Sequence, residues 1–293
     1  MKSKAENMNK NDKATRNAQR LESMRRNLDA LESRAAALLE KDDAMTAAER
    51  AALLQFVNVA FHEGASKIDG IYSIDGTSSC EFCATMRKAA EKDPAIICGG
   101  CYAYRDKWKE AAWRRHILNA RILSNVLFTV EELKALNVPA AALVRINEDG
   151  DITNIIHARN VLRLFVAFPS ASFGFWYKNV IAVAAALELE GITCKADKPR
   201  NVRFVHSSPR IGIPAAAVWF DDVIFTVYPD KETTAAAIAA GSFPCNGARC
   251  KACGFNCYHP ERNADNVQHV AEVLRASAAT VKMQRELYDA RNM

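Results

Sequence analysis

No stretch of these 293 residues strings together the ~18 apolar side chains that a membrane helix requires, so no spanning segment is expected. The first residues are polar and charged, without the apolar core of a secretion signal. By expectation the chain therefore works in a reducing cytoplasm. Phosphate loops of the Gly-x-Gly-x-x-Gly or Walker type are missing, which removes direct support for a nucleotide. Missing too is the Cys-x3-Cys-x2-Cys order common in radical enzymes. Cys250-x2-Cys253-x3-Cys257 has those spacings reversed, so adenosylmethionine chemistry is not carried over. Net charge is lacking beyond the first 26 residues. Those hold eight basic against three acidic side chains, the whole excess of +5. A neutral body excludes the broad basic face of a nucleic-acid binder and leaves only the N-terminal tail for such a contact.

What the chain does have is ordered cysteine. Eight of its nine cysteines fall into two groups, which 143 residues separate. The first is Cys80-x2-Cys83, fourteen residues, then Cys98-x2-Cys101; the second is Cys245-x4-Cys250-x2-Cys253-x3-Cys257. A Cys-x2-Cys loop aims two thiolates at one ion, and two such loops complete a tetrahedral sulfur site. In a chain expected to stay reduced, clustered cysteines read as metal ligands rather than disulfides. The first spacing suits structural zinc and an iron–sulfur cluster alike. The second is more compact and suits an iron–sulfur cluster, 4Fe-4S by preference, on four close ligands. A zinc knuckle of three of these cysteines with His259 is the alternative, and so is one site shared between the groups.

The pattern along the chain predicts an α/β fold. Its parallel or mixed sheet has about four to six strands and is open or a partial barrel; helical extensions flank it at both ends, with cysteine-rich metal loops. Residues 1–18 read as a disordered basic tail, 19–64 as a helical region, 65–260 as the α/β metal-binding domain and 261–293 as a C-terminal helix. Leu21, Met24, Leu28, Leu31, Ala35 and Leu38 space an apolar seam, read as packing on the chain's own domain, with self-association through 21–38 as the alternative. Thr46 and Glu49 form a capping box for a second helix running to Phe61 and Gly64. Strands are read near 70–74, 143–146, 172–177, 202–206 and 223–228, the later ones at the ~30-residue rhythm of βαβ units. Lys178, Ser207, Ser208 and Arg210 then fall at carboxyl ends of strands, where α/β sheets bind ligands, and are candidates for a small anion. The same layer is expected to receive the second cysteine group.

Cys98-x2-Cys101-Tyr102-Ala103, Val144–Asp151, Phe175–Asn179, Arg203–Arg210 and the terminal cysteines follow one another in an order that resembles the bacteriophage gene-product-88 family, over roughly residues 67–258. The resemblance implies an iron–sulfur protein whose reaction is not established, in the cytoplasm of a host cell, and favours iron over zinc. A redox partner is implied with it; whether there is an enzymatic turnover is left open. In that family a proline usually follows the first cysteine, whereas Glu81 follows Cys80 here, which leaves the choice between Cys80 and Cys83 as ligand open.

Overall fold

The computed structural model describes residues 2–41, 44–63, 68–76, 81–100, 110–148, 150–245, 249–253, 257–258, 266–274 and 278–292. Its strands are β1 (Ala60–Phe61), β2 (Tyr72–Ile74), β3 (Leu143–Ile146), β4 (Ser172–Tyr177), β5 (Val202–Ser207), β6 (Val223–Tyr228), β7 (Phe243–Pro244) and β8 (Gln268–Val273). They form one sheet in the order β1-β2-β3-β4-β5-β6-β8-β7. All neighbours are parallel except the edge pair β1–β2.

From β2 to β6 the spatial order is the chain order. Right-handed crossovers between sequential parallel strands set their helices on the same face of the sheet. The helices concerned are α4 (Glu110–Asn125), α5 (Val130–Leu133), α6 (Ile155–Ala167) and α7 (Val180–Leu189). On that face Val144, Phe173, Phe175 and Phe204 meet Ile122, Phe165 and Leu187 in the main core. Phe165 sits at its centre, with ring centroids of Phe173 and Phe175 at 4.9 and 5.7 Å. Side chains alternate along a strand, so Arg145, Gly174, Trp176, Arg203 and Val205 face the other way. There Ile68, Ile71, Trp176, Val205, Val223, Tyr258 and Val270 make a second, smaller core that the crossover helices do not cover.

The remaining helices are α1 (Lys2–Leu39), α2 (Ala47–Leu54), α3 (Glu81–Ala90), α8 (Lys231–Ala239) and α9 (Ala278–Asn292). The Thr46–Glu49 capping box is present on α2. α1 lies along α4, held by Arg114 to Asp29 and Glu32 at 2.5 and 2.8 Å, with Leu28 and Ala35 buried. The apolar seam thus packs on its own chain. α9 docks on the carboxyl side of β6, where Arg285 reaches Asp230 at 2.9 Å and Gln284 donates to the Pro94 carbonyl.

Four expectations are corrected, and one alternative is decided. The sheet has eight strands, more than four to six, because β1 and β7 are two-residue edges too short to show a pattern. Its ends β1 and β7 do not pair among the described residues, so the sheet is open and not a partial barrel. Residues 2–18 belong to α1 instead of a disordered tail; no glycine or proline occurs before Gly64, and Ala, Lys, Arg and Glu favour helix. Residues 268–273 are a strand, not part of a C-terminal helix, and α2 stops at Leu54. Val267, Val270 and Leu274 fit helical spacing, but β6 offers them a parallel ladder, and the tertiary pairing wins. Among the described residues no helix is long and apolar enough to cross a membrane.

Candidate metal centre

The second cysteine group lies on the face that the crossover helices leave uncovered. Cys245 directly follows β7, and its amide donates to the Ala271 carbonyl of β8 at 2.8 Å. Cys250 to Ala252 form a 3-10 turn closed by Cys253 N–H to Cys250 O, which folds the Cys-x2-Cys pair into one loop. Arg249 anchors that loop to Asp69 at 2.9 Å. The stem of Lys251 packs on Gly70, whose φ of +75° and missing Cβ permit the approach. Tyr258, fully buried, brings Cys257 inward. Cys245, Cys250, Cys253 and Cys257 all pack against the small core of Trp176, Val205, Val223 and Tyr258.

The register explains why the loop docks there. Arg145, Gly174 and Arg203 are direct neighbours across β3, β4 and β5. Glycine between two arginines leaves a notch, and Tyr258 fills it. A Cβ at 174 would stand 2.9 Å from Tyr258 Cδ1 and 2.4 Å from Trp176 Cζ3. The Tyr258 and Trp176 rings tilt at 48° with centroids 5.4 Å apart, and the Arg145 guanidinium lies 4.2 Å over Trp176. Arg203 is 0% exposed and donates from Nη2 to Gln268 Oε1 at 2.8 Å.

Burial pushes the Cys257 thiol up to about 12; Arg203 pulls the other way, and the charges of Cys245, Cys250 and Cys253 push it further up. Cys257 therefore lies within electrostatic reach of the other three cysteines, and its thiol keeps its proton unless a metal replaces it. Four thiolates around a dipositive core would carry roughly two negative charges, which the buried Arg203 and the half-buried Arg145 would complement. Among the described residues no three cysteine sulfurs lie all within 4.8 Å of one another. A closed zinc tetrahedron, with Zn–S of about 2.3 Å, has edges of roughly 3.8 Å.

Of the first group, Cys83 is buried on α3 and Cys98 lies in the 3-10 turn Ile97–Gly100, which packs on that helix. Gly99 faces Ala90 so closely that a Cβ would come within 2.8 Å. Cys80 and Cys101 lie outside the described residues, as does His259. This segment is bound to the loop after β5: Ile97 N–H donates to Pro209 O at 2.9 Å, and Arg210 pairs with Asp93 at 3.0 Å. Cys83 and Cys98 thus stand near a strand end, and the second group, expected there, stands on the face of the sheet.

Lys178, Ser207, Ser208 and Arg210 are drawn into local structure. The Ser208 hydroxyl bonds within its own turn, to Arg210 O and Ile213 O. Ser207 is buried in β5. Lys178 stands 3.9 Å from Asp151, whose carboxylate accepts the backbone amides of Lys178 and Asn179. Burial holds the Asp151 carboxyl above its ordinary value, against the pull of Lys178.

Sequence reading missed Arg145, Arg203, Gly174 and Tyr258 as parts of the centre. Only the register puts them side by side, although the charged residues at alternate positions of apolar strands were a signal. It also missed His62, Asp75 and Glu148, whose donor atoms converge at the other end of the same face. No protein-family model matches the chain, and neither does any curated protein or solved structure.

Proposed function

We propose that the chain is an iron–sulfur protein, with the cluster held by Cys245, Cys250, Cys253 and Cys257 over Trp176 and Tyr258, and that it serves electron transfer or cluster-assisted redox chemistry. One observation carries this reading: four cysteines spread over thirteen residues all pack against one small apolar core, with Cys257 beside Arg203. The donor set is all sulfur, which selects zinc, iron–sulfur or copper(I). The spread of the sulfurs, wider than a zinc tetrahedron, suits a larger inorganic core, and the family resemblance points to iron. When bound, such a cluster supplies a one-electron reservoir whose potential is set by nearby charge and burial. Arg145 and Arg203 are the residues that would raise it. Cys83 and Cys98, with Cys80 and Cys101, would hold a second cluster or a zinc.

Anaerobic purification tests this directly. A brown protein absorbing broadly near ~400 nm, with iron and sulfide in equal amounts, is the expected result. Colourless protein with stoichiometric zinc overturns it in favour of a structural zinc module. The exposed Arg16, Arg20 and Arg26 of α1 would then make nucleic acid the partner to test. Cys253→Ala is expected to remove the second centre and leave metal at the first; loss of all metal would mean one shared site.

A further inference from the structure

Beyond the cysteines, a second donor set gathers around β2, with the His62 side chain reaching along the strand from beside Ile71. His62 follows β1, Asp75 follows β2 and Glu148 closely follows β3, and one donor atom from each lies within 4.8 Å of the other two. The ladder brings them alongside. His62 N–H donates to Ile71 O at 3.1 Å, and Asn147 N–H donates to Ile74 O at 3.2 Å. His62 Nε2 and Glu148 Oε2 are 3.5 Å apart.

Their surroundings fix the geometry. Asp75 is 2% exposed. One of its carboxylate oxygens accepts the Glu148 amide at 2.6 Å, and the other accepts the Ser73 hydroxyl at 2.6 Å. Ser73 Oγ is itself 2.7 Å from His62 Nε2. From α4, His116 Nε2 stands 3.8 Å from the same carboxylate, and Asn119 donates to the Asp75 backbone carbonyl at 3.2 Å. A serine that donates to the aspartate and meets the histidine is not a nucleophile relay, because the imidazole does not bridge the two. It is the outer hydrogen bonding that aims a ligand carboxylate.

Two carboxylates held this close favour a cation between them. Arg145 lies on the same face, stacked over Trp176, and its charge reaches His62. Imidazole nitrogen with carboxylate oxygen suits manganese, iron(II) or zinc, and the absence of sulfur from the set sets it apart from the cysteine centre. Three protein ligands leave coordination positions open to water or a substrate. The place agrees, since the carboxyl ends of β2 and β3 are where parallel sheets bind ligands.

We propose that His62, Asp75 and Glu148 bind a divalent first-row transition ion, Mn2+, Fe2+ or Zn2+, at a site independent of the cysteines. Ser73 and the Glu148 amide hold the Asp75 carboxylate in place. Binding displaces the proton that His62 Nε2 otherwise carries.

Mn2+ is the ion to use, because it prefers oxygen and nitrogen and competes poorly for thiolate. It is titrated into anaerobically purified protein with its cysteine centre loaded, and the electron paramagnetic signal of the free aquo ion is followed. One Mn2+ per chain is expected to leave the free pool. Glu148→Gln and His62→Ala are each expected to weaken binding by roughly tenfold or more. Their side chains are 26% and 27% exposed, so both variants are expected to keep the wild-type circular dichroism spectrum. Should one misfold, the other decides. A wild type that leaves Mn2+ in the free pool, or a folded variant that binds it as tightly as the wild type, overturns the proposal. The outcome is the same whichever inorganic group the cysteines carry, so the two readings fail separately.

Discussion

Gly174 shows how one missing side chain organises a centre. A methyl group there meets Trp176 and Tyr258 inside contact distance. Gly174→Ala is therefore expected to destabilise the protein by about 1–3 kcal/mol, as overpacking does. Because Tyr258 is the neighbour of Cys257, metal content of the second centre should fall with it. Melting temperature and elemental analysis on the same sample check both. His157 gives a pH prediction. It is 2% exposed, and its Nδ1 accepts the Thr153 amide at 3.2 Å. Burial lowers its pKa from 6.5 to about 4. Between those values the unfolded chain binds more protons than the folded one, so stability is complete above pH 6.5 and falls as the pH drops toward 4. About 3 kcal/mol is the upper bound on that loss. His157→Gln should flatten this part of the melting-temperature profile relative to wild type.

At the scale of elements, Asn160 of α6 is the clip between helices. It accepts the Phe128 amide at 2.8 Å and donates to Leu123 O and Val126 O at 2.8 and 2.7 Å, all buried. Asn160→Leu strands these groups and is expected to cost on the order of 3–5 kcal/mol. Chemical denaturation should show it as a lower midpoint with unchanged slope. The elements themselves were largely readable. β3 to β6 stand where β-branched and aromatic runs placed them, and Thr46–Glu49 caps a helix as its spacing says. What was not readable has a common physical cause: pairing decides it. β8 looked helical until β6 claimed it, and β7 is two residues long. The spacing of Cys245 to Cys257 marks them as candidate ligands, but their seat on the sheet face depends on Gly174, Arg145 and Arg203 lying on adjacent strands, which no single segment records.

At the scale of the whole molecule, the two faces of the sheet are stabilised differently. The helix side is a continuous aromatic and aliphatic core. The other side is a small patch closed by the cysteine loop, which is anchored by Arg249–Asp69 and Tyr258. If a metal holds that loop, its removal subtracts binding free energy from one face only. Chelation under mild oxidation should thus lower the melting temperature and quicken hydrogen exchange in Arg249–Tyr258 and around Ile68–Ile71. Amides of α6 and α7 should remain protected. Equal loss of protection on both faces would show that the loop is not an independent unit.

The loop over Trp176 comes after seven of the eight described strands in the chain, and that order bears on how the protein is made. During synthesis, at ~5–20 residues per second, β1 to β6 leave the ribosome before any of the four thiols that close their bare side. Until then Trp176 and Val205 are exposed as a sticky surface, and chaperones are the natural occupants. If the loop takes up an inorganic group, its delivery must follow, and slow loading in the cell would then surface first as aggregation.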